Sequence, residues 1–256
     1  MAKPKLSQVV VFGVDVRGGG AGASAAPDVA TARKLASLLQ RYQVSATWAF
    51  ERFDTPVAQL LASSSPKHEI ALLWNETPAT RSADAFQIAG QLRDRVAQAQ
   101  QLDISLQSIA ADPRGMLPYH SLARYGFRSV RATRAAGSSG IRSIQPQSLR
   151  HGLWGVPVSC FWPHTSRLMQ AFSLRALLNQ QRLVSQGRDA LHVVVDFELM
   201  QTSGTGCWQQ LERVFQQTVQ LRSEGKLRSC RLADIDLLVR AETSAQPARS
   251  ILRRTA

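Results

Sequence analysis

Carboxylates stand at or just after the ends of several short apolar runs in this sequence. Asp15 follows the β-branched run 9–14, Glu76 follows the run 69–74, and Asp196 and Glu198 lie near the end of LHVVVDFEL. Two carboxylates ~5–9.5 Å apart can perform glycoside hydrolysis, and several together can surround a hard cation such as Mg²⁺. Either chemistry requires a fold that brings the ends of these runs together.

Other catalytic patterns are weak or absent in the sequence. There is no G-x-S-x-G nucleophile motif, and nothing selects His120, His151 or His164 as a base. The glycine run after Asp15 lacks the Lys-Ser/Thr pair of a phosphate-binding loop. The three cysteines contain no C-x-x-C pair, so neither a zinc knuckle nor a disulfide framework is indicated.

Apolar runs alternate with amphipathic stretches along most of the chain. Strands are predicted at 9–14, 45–50, 69–74, 105–110, 127–130, 154–159 and 191–197, and the short runs 230–232 and 233–239 close the pattern. Helices are predicted at 28–42, 57–62, 82–101, 119–125, 173–186 and 208–221, the first with Asp28 as its cap. Repeated β–α units with apolar strands are typical of a parallel sheet, closed or open.

Five segments resemble the polysaccharide deacetylase (NodB-homology, carbohydrate esterase family 4) superfamily, in the family's order, over roughly residues 9–238. VFGVDVRG corresponds to the motif T-F-D-D, HEIALLWNET to H-E-I-G-x-H-[ST]-x-x-H, and ADPRG to R-x-P-x-G. GLWGVPVS is similar to G-L-x-E-I-P-V, and LHVVVDFEL to the late strand L-H-L-W-x-H-P-x-N-L. The resemblance implies an α/β fold, a distorted (β/α)7 barrel with its active site at the carboxyl ends of the strands.

The resemblance also implies a reaction and assigns positions to it. In the family, one Asp and two His hold a divalent metal that activates water, a second Asp acts as base and a distant His as acid. Asp15 occupies the base position and Asp196 the position of the acid histidine. Ala111 stands where an arginine orients the base. The three metal-ligand positions hold Val16, Leu73 and Thr77.

These replacements predict that the family's reaction is lost. Valine and leucine have no lone pair to offer a cation. His68 cannot replace a ligand at Leu73, because five residues span ~17 Å of strand and an odd separation reverses the face. We therefore expect no metal cofactor, no ion pair from the third motif to Asp15, and a catalytically degenerate member of the superfamily, a pseudoenzyme.

Three functions remain open at this point. The first is a barrel that binds a carbohydrate, another small molecule or a protein through its mouth. The second is a hydrolase rebuilt on carboxylates, with Asp15 and Asp196 facing each other across the mouth and Glu198 on the same strand face as Asp196. The third is a basic protein that binds nucleic acid. The residues expected to line the mouth are Asp15, Trp74, Glu76, Asp112, Trp154, Asp196 and Glu198.

Charge and length set the remaining expectations. The net charge is +13, but the arginines are spread along the chain, with local runs around 128–142, 222–231 and 249–254. A basic surface is therefore favoured over a nucleic-acid site. Residues 1–240 predict one barrel domain and residues 241–256 a basic, mobile tail. No signal peptide or membrane-length apolar stretch is indicated, so a cytoplasmic location is expected.

Overall fold

The computed structural model describes residues 8–18, 27–64, 68–74, 85–111, 118–132, 146–162 and 190–238. Its strands are β1 (Gln8–Val16), β2 (Ala46–Phe50), β3 (Glu69–Trp74), β4 (Ser108–Ala111), β5 (Ser129–Ala132), β6 (Gln147–Ser148), β7 (Trp154–Val156), β8 (Cys160–Trp162), β9 (Ala190–Asp196) and β10 (Leu227–Cys230). Its α-helices are α1 (Val29–Arg41), α2 (Pro56–Ser64), α3 (Ala85–Gln100), α4 (Tyr119–Arg124), α5 (Phe197–Thr202) and α6 (Thr205–Ser223). Two 3-10 helices are η1 (Arg150–Gly152) and η2 (Leu232–Asp234).

The strands form one sheet in the order β6-β7-β5-β4-β3-β2-β1-β9-β8. Every pairing is parallel except that of β6 with β7. β1 is the central strand: β9 runs along one edge, while β10 pairs with Gln8–Val11 and β2 with Phe12–Val16 on the other. Parallel pairing places the carboxyl ends of these strands at one end of the sheet.

The sheet curls until distant strands touch through its interior. Arg131 of β5 pairs with Asp15 of β1, although β4, β3 and β2 lie between those strands. Val156 of β7 and Val11 of β1, which have one strand more between them, belong to the same buried apolar cluster. An open, flat sheet cannot make such contacts, because neighbouring strands are ~4.8 Å apart. The expected α/β fold of the barrel type is confirmed.

Strand alternation separates the interior of the curl from the layer beneath the helices. On β1, Val10, Phe12 and Val14 face the helices, while Val11 and Asp15 face inward. Helix α1 buries Ala32, Leu35 and Leu39 against this outer face, and the ring of Phe215 from α6 meets that of Phe12 edge-on at 5.2 Å. The main core therefore lies between sheet and helices.

The amino end of the curled sheet is closed by a buried polar network around η2. The Thr47 hydroxyl donates to Glu69 Oε2 at 2.8 Å and accepts from Leu232 N–H at 2.9 Å. Ala233 N–H donates to the same Glu69 oxygen at 3.1 Å, and the Ser129 hydroxyl donates to the Leu232 carbonyl at 3.0 Å. Three strands thus hold the C-terminal segment by hydrogen bonds that satisfy its buried backbone.

Removing the Thr47 hydroxyl is expected to destabilise the fold. Thr47→Val leaves the Leu232 N–H without its acceptor and removes one of the donors to Glu69, which should cost ~1–3 kcal/mol of unfolding free energy in urea titrations. Thr218→Val is the matched control, because the buried Thr218 hydroxyl donates only to the Val214 carbonyl of its own helix, at 2.9 Å. Equal losses in both variants would contradict a special role for the network.

Local expectations from the sequence are met in several elements. Asp28 caps α1 by accepting from Ala30 N–H and Thr31 N–H at 3.0 and 2.9 Å. β7 ends at Val156, earlier than predicted, because Pro157 has no N–H to continue the ladder. The predicted helix 173–186 and tail 241–256 lie outside the described residues. Among the helices that are described, none has both the length and the apolar character needed to cross a bilayer.

Candidate functional site

Asp15 lies at the carboxyl end of β1 and is bound to a guanidinium. Its side chain forms a buried ion pair with Arg131, which crosses the interior from β5. Only 4% of the Asp15 side chain and 2% of the Arg131 side chain are exposed. Burial raises the pKa of the Asp15 carboxyl, and the charge of Arg131 acts in the opposite direction.

The arginine partner of Asp15 was not predicted from the sequence. The loss of the third-motif arginine at Ala111 predicted only that no ion pair to Asp15 would come from that motif. Arg131, on the next strand of the sheet, provides the partner. It had been counted within the basic run 128–142. Strand alternation was the signal that could have found it, because Ser129 and Arg131 share the inward face of β5.

Small residues make room for the crossing arginine. Ala49, Ala71 and Ala110 cluster with Leu73 inside the barrel. At Gly13, an added Cβ would come within 3.3 Å of His192 Nε2 and 3.7 Å of Arg131 Nη1. The absence of a side chain at Gly13 lets the Arg131 guanidinium lie close to the β1 backbone.

His192 of β9 is buried beside this arginine. None of its side chain is exposed, and burial, followed by the charge of Arg131, holds the pKa of its imidazole well below the ordinary value. The Pro157 carbonyl partly opposes this shift, but neither ring nitrogen has a hydrogen bond of normal geometry. His192 is therefore a neutral ring in the barrel interior.

A second, partly exposed group of charges forms the rim above Asp15. Arg17 Nη2 lies 3.5 Å from Asp196 Oδ2, and Arg17 Nη1 lies 3.8 Å from Glu198 Oε2. Asp196 also caps α5 by accepting from Leu199 N–H at 3.1 Å. Burial raises the pKa of Glu198, and Arg17 opposes that rise. We call Arg17, Asp196 and Glu198 the rim cluster.

The arrangement of the carboxylates differs from the one proposed from the sequence. Asp15 and Asp196 do not face each other across the mouth, because they are register partners on the adjacent strands β1 and β9. Glu198 does not share a strand face with Asp196, because β9 ends at Asp196 and Glu198 lies in the first turn of α5. The structure brings these three residues together, each with an arginine or backbone partner.

The two described positions of the family's metal ligands, Val16 and Leu73, do not converge. Val16 is 1% exposed and packs in the core beneath the helices, on the face of β1 opposite to Asp15. Leu73 lies inside the barrel within the alanine cluster. Thr77 is outside the described residues. In the part of the chain that is described, no three His, Cys, Asp or Glu side chains form a group suited to a metal. A metal held by these motif positions therefore does not fit the residues present.

The two other predicted mouth residues that the structure describes, Trp74 and Trp154, lie apart from this group. Trp74, at the end of β3, packs against the core between sheet and helices. Trp154 starts β7 opposite Ser129, at the amino end of the sheet and away from Asp15. Glu76 and Asp112 lie outside the described residues. Of the seven residues named from sequence, the structure groups Asp15, Asp196 and Glu198.

His68 directly precedes β3 at the amino end of the sheet and takes no part in the site. Its Nδ1 accepts from Ala46 N–H at 3.3 Å, and burial lowers the pKa of His68 from 6.5 to about 4. Between those values the unfolded chain binds a proton that the folded protein does not. The free energy of unfolding should therefore fall as the pH drops from about 6.5 to 4, with a His68 contribution of up to ~3 kcal/mol.

Urea titrations across this pH range isolate the contribution of His68. In His68→Asn the amide oxygen keeps an acceptor for Ala46 N–H but does not titrate. As the pH falls, the unfolding free energy of wild type should decrease more than that of the variant, because only wild type has the titrating His68. A difference that is constant with pH would show that His68 titrates alike in both states.

No protein-family model and no curated protein sequence matches the chain. Solved structures do match it. A protein assigned as a polysaccharide deacetylase from Mycobacterium smegmatis aligns with a TM-score of 0.69 and 17% identity, over 95% of this chain and 94% of its own. This chain has the polysaccharide deacetylase fold.

The polysaccharide deacetylase fold also occurs in proteins with other chemistry. PuuE allantoinase aligns with a TM-score of 0.62 and 12% identity, over 94% of this chain and 92% of its own. A mutant of a carbohydrate esterase family 4 pseudoenzyme aligns with a TM-score of 0.51 and 9% identity, over 91% of this chain and 68% of its own. The fold therefore agrees with the motif resemblance but does not fix the reaction.

Proposed function

We propose that this protein is a pseudoenzyme of the polysaccharide deacetylase fold that binds a carbohydrate at the carboxyl end of its barrel. The observation that carries this proposal is the environment of Leu73. At the position of a metal-binding histidine, Leu73 packs with Ala49, Ala71 and Ala110 in an apolar cluster. A cation placed there would lose its hydration shell without gaining a ligand from these four side chains.

The state of Asp15 supports the loss of the family reaction. A general base must reach the proton it abstracts, directly or through one water. The Asp15 carboxylate keeps an arginine partner, as the base of the family does, but only 4% of its side chain is exposed. This burial leaves little access for a water or a substrate proton.

The rim cluster supports binding of a polar ligand. Arg17, Asp196 and Glu198 are 35%, 16% and 25% exposed, and their ion pairs are long, at 3.5 and 3.8 Å. Such partly solvated pairs contribute little stability by themselves. They offer both donors and acceptors, which sugar hydroxyls need because each hydroxyl donates one hydrogen bond and accepts others.

The loss of activity is tested by acetate release. Tag-free protein is incubated with N-acetylglucosamine oligosaccharides and with added Zn²⁺ or Co²⁺, and acetate is measured. We expect no release above the protein-free control. Metal-dependent release that disappears in Asp15→Asn would overturn the proposal.

Ligand binding is tested by titrating the same oligosaccharides, and their deacetylated forms, into the protein by calorimetry. Arg17→Ala and Glu198→Gln should each weaken binding by roughly tenfold, equivalent to ~1.4 kcal/mol. Glu212→Gln is the matched control, since Glu212 is a carboxylate on α6 that pairs with Arg41 away from the rim cluster. Binding that ignores both rim variants, or no binding of any sugar, would reject the carbohydrate proposal.

A further inference from the structure

Two histidines meet on the outside of the fold, away from the barrel interior. His120 lies in α4 and His151 in η1, and both side chains are exposed. The centroids of their rings are 5.3 Å apart, and the ring planes are inclined at 69°. Thirty residues separate them in sequence, so the contact is made by the packing of α4 against η1.

We propose that His120 and His151 form a surface site for a borderline-soft divalent transition ion such as Zn²⁺, Ni²⁺ or Cu²⁺. Imidazole nitrogen is a preferred ligand of these ions. A tetrahedral Zn²⁺ bound at ~2.0–2.1 Å to one nitrogen of each ring holds the two ring centres roughly 5 Å apart. The observed centroid separation of 5.3 Å is close to that of such a bound pair.

The rest of the coordination shell comes from water. In the described part of the chain, no group of three His, Cys, Asp or Glu side chains surrounds a common point, so the pair supplies two protein ligands. Exposure of both rings leaves room for water at the remaining positions. Two exposed arginines lie near the histidines in sequence: Arg124 follows His120 in α4, and Arg150 directly precedes His151. Their positive charges repel a divalent cation. A moderate affinity, on the order of micromolar, is expected.

The backbone at His151 gives the site a fixed geometry. His151 has φ 59° and ψ 30°, a left-handed conformation that histidine, asparagine and aspartate adopt more readily than most residues. An ion shared by the two rings would link α4 to η1, the segment that leads into β7. Binding would therefore stabilise the folded state in proportion to the free metal concentration.

The test uses Zn²⁺ alone with tag-free, full-length protein. In NMR spectra the chain has five histidine Hε1 resonances to follow. Zn²⁺ should shift two of them, with saturation at one equivalent, and should raise the melting temperature, whereas Mg²⁺ should do neither. His120→Ala and His151→Asn should each weaken zinc binding by more than tenfold. Asparagine is chosen at position 151 because it tolerates the left-handed backbone.

The matched control is Arg150→Ala, which removes a neighbouring positive charge and keeps both rings. It should bind Zn²⁺ as tightly as wild type or more tightly. Unchanged zinc affinity in both histidine variants would overturn the proposal, as would binding that is abolished only by changes at the cysteines. The test measures zinc binding and neither acetate release nor sugar binding, so its result does not depend on the function proposed for the barrel mouth.

Discussion

Asp15→Ala is expected to destabilise the protein by ~3–5 kcal/mol, because it leaves the Arg131 guanidinium buried without its countercharge. A guanidinium keeps its positive charge when it is buried, so the loss of a proton cannot remove this cost. The measurement is the free energy of unfolding in urea at pH 7. Arg41→Met, at an exposed ion pair with Glu212, should cost less than ~1 kcal/mol and serves as the control.

Arg131→Met should behave differently, because an aspartate can take up a proton. Burial then raises the pKa of Asp15 without opposition from the guanidinium. The folded variant binds a proton at pH values where its unfolded chain does not, so its stability relative to wild type should improve as the pH falls from 7 towards 4. The double variant Asp15→Ala/Arg131→Met should be more stable than Asp15→Ala alone. Additive losses would show that the two residues do not interact.

Val16→Asp is expected to lower the free energy of unfolding by at least ~3 kcal/mol, because it places a carboxylate in the apolar core beneath the helices. This change restores the residue type of the family motif, yet the side chain faces away from Asp15. We therefore expect no gain in metal binding from Val16→Asp combined with Leu73→His. The measurements are urea unfolding and Co²⁺ absorption spectra.

Val16→Ala separates the cost of lost packing from that of buried charge. Val16→Ala should lower the free energy of unfolding by about 1–2 kcal/mol, less than Val16→Asp does, because it only removes two methyl groups from a packed site. If Val16→Asp folds with wild-type stability and the combined variant gains an intense tetrahedral Co²⁺ spectrum, Val16 must face the barrel mouth. The argument against a motif-based metal site would then fail.

Local structure could be predicted from the sequence because its causes are local. β3 spans Glu69–Trp74 as predicted, since the run is apolar and its flanks are polar. The capping role of Asp28 was predicted from a short side chain just before an amphipathic run. The curled sheet followed from the β–α alternation and the motif resemblance together.

The site could be predicted only in part, because its contacts are long-range. Asp15 and Asp196 were placed together by the order of motifs at strand ends. The Arg131 partner of Asp15 is 116 residues away. Strand alternation can place Arg131 on the inward face of β5, but it does not say which residue Arg131 binds. Motif position also does not tell which face of a strand a residue occupies, so Val16 and Trp154 needed the three-dimensional structure to be placed.

The ion pair through the barrel has a consequence for folding kinetics. Arg131 and Asp15 can meet only after β2, β3 and β4 have assembled and curled, so their interaction requires closure of a long loop of chain. A contact that forms after the rate-limiting step changes the unfolding rate and leaves the folding rate nearly constant. The buried pair would then chiefly slow the unfolding of a barrel that has already folded, and so determine the lifetime of the folded state.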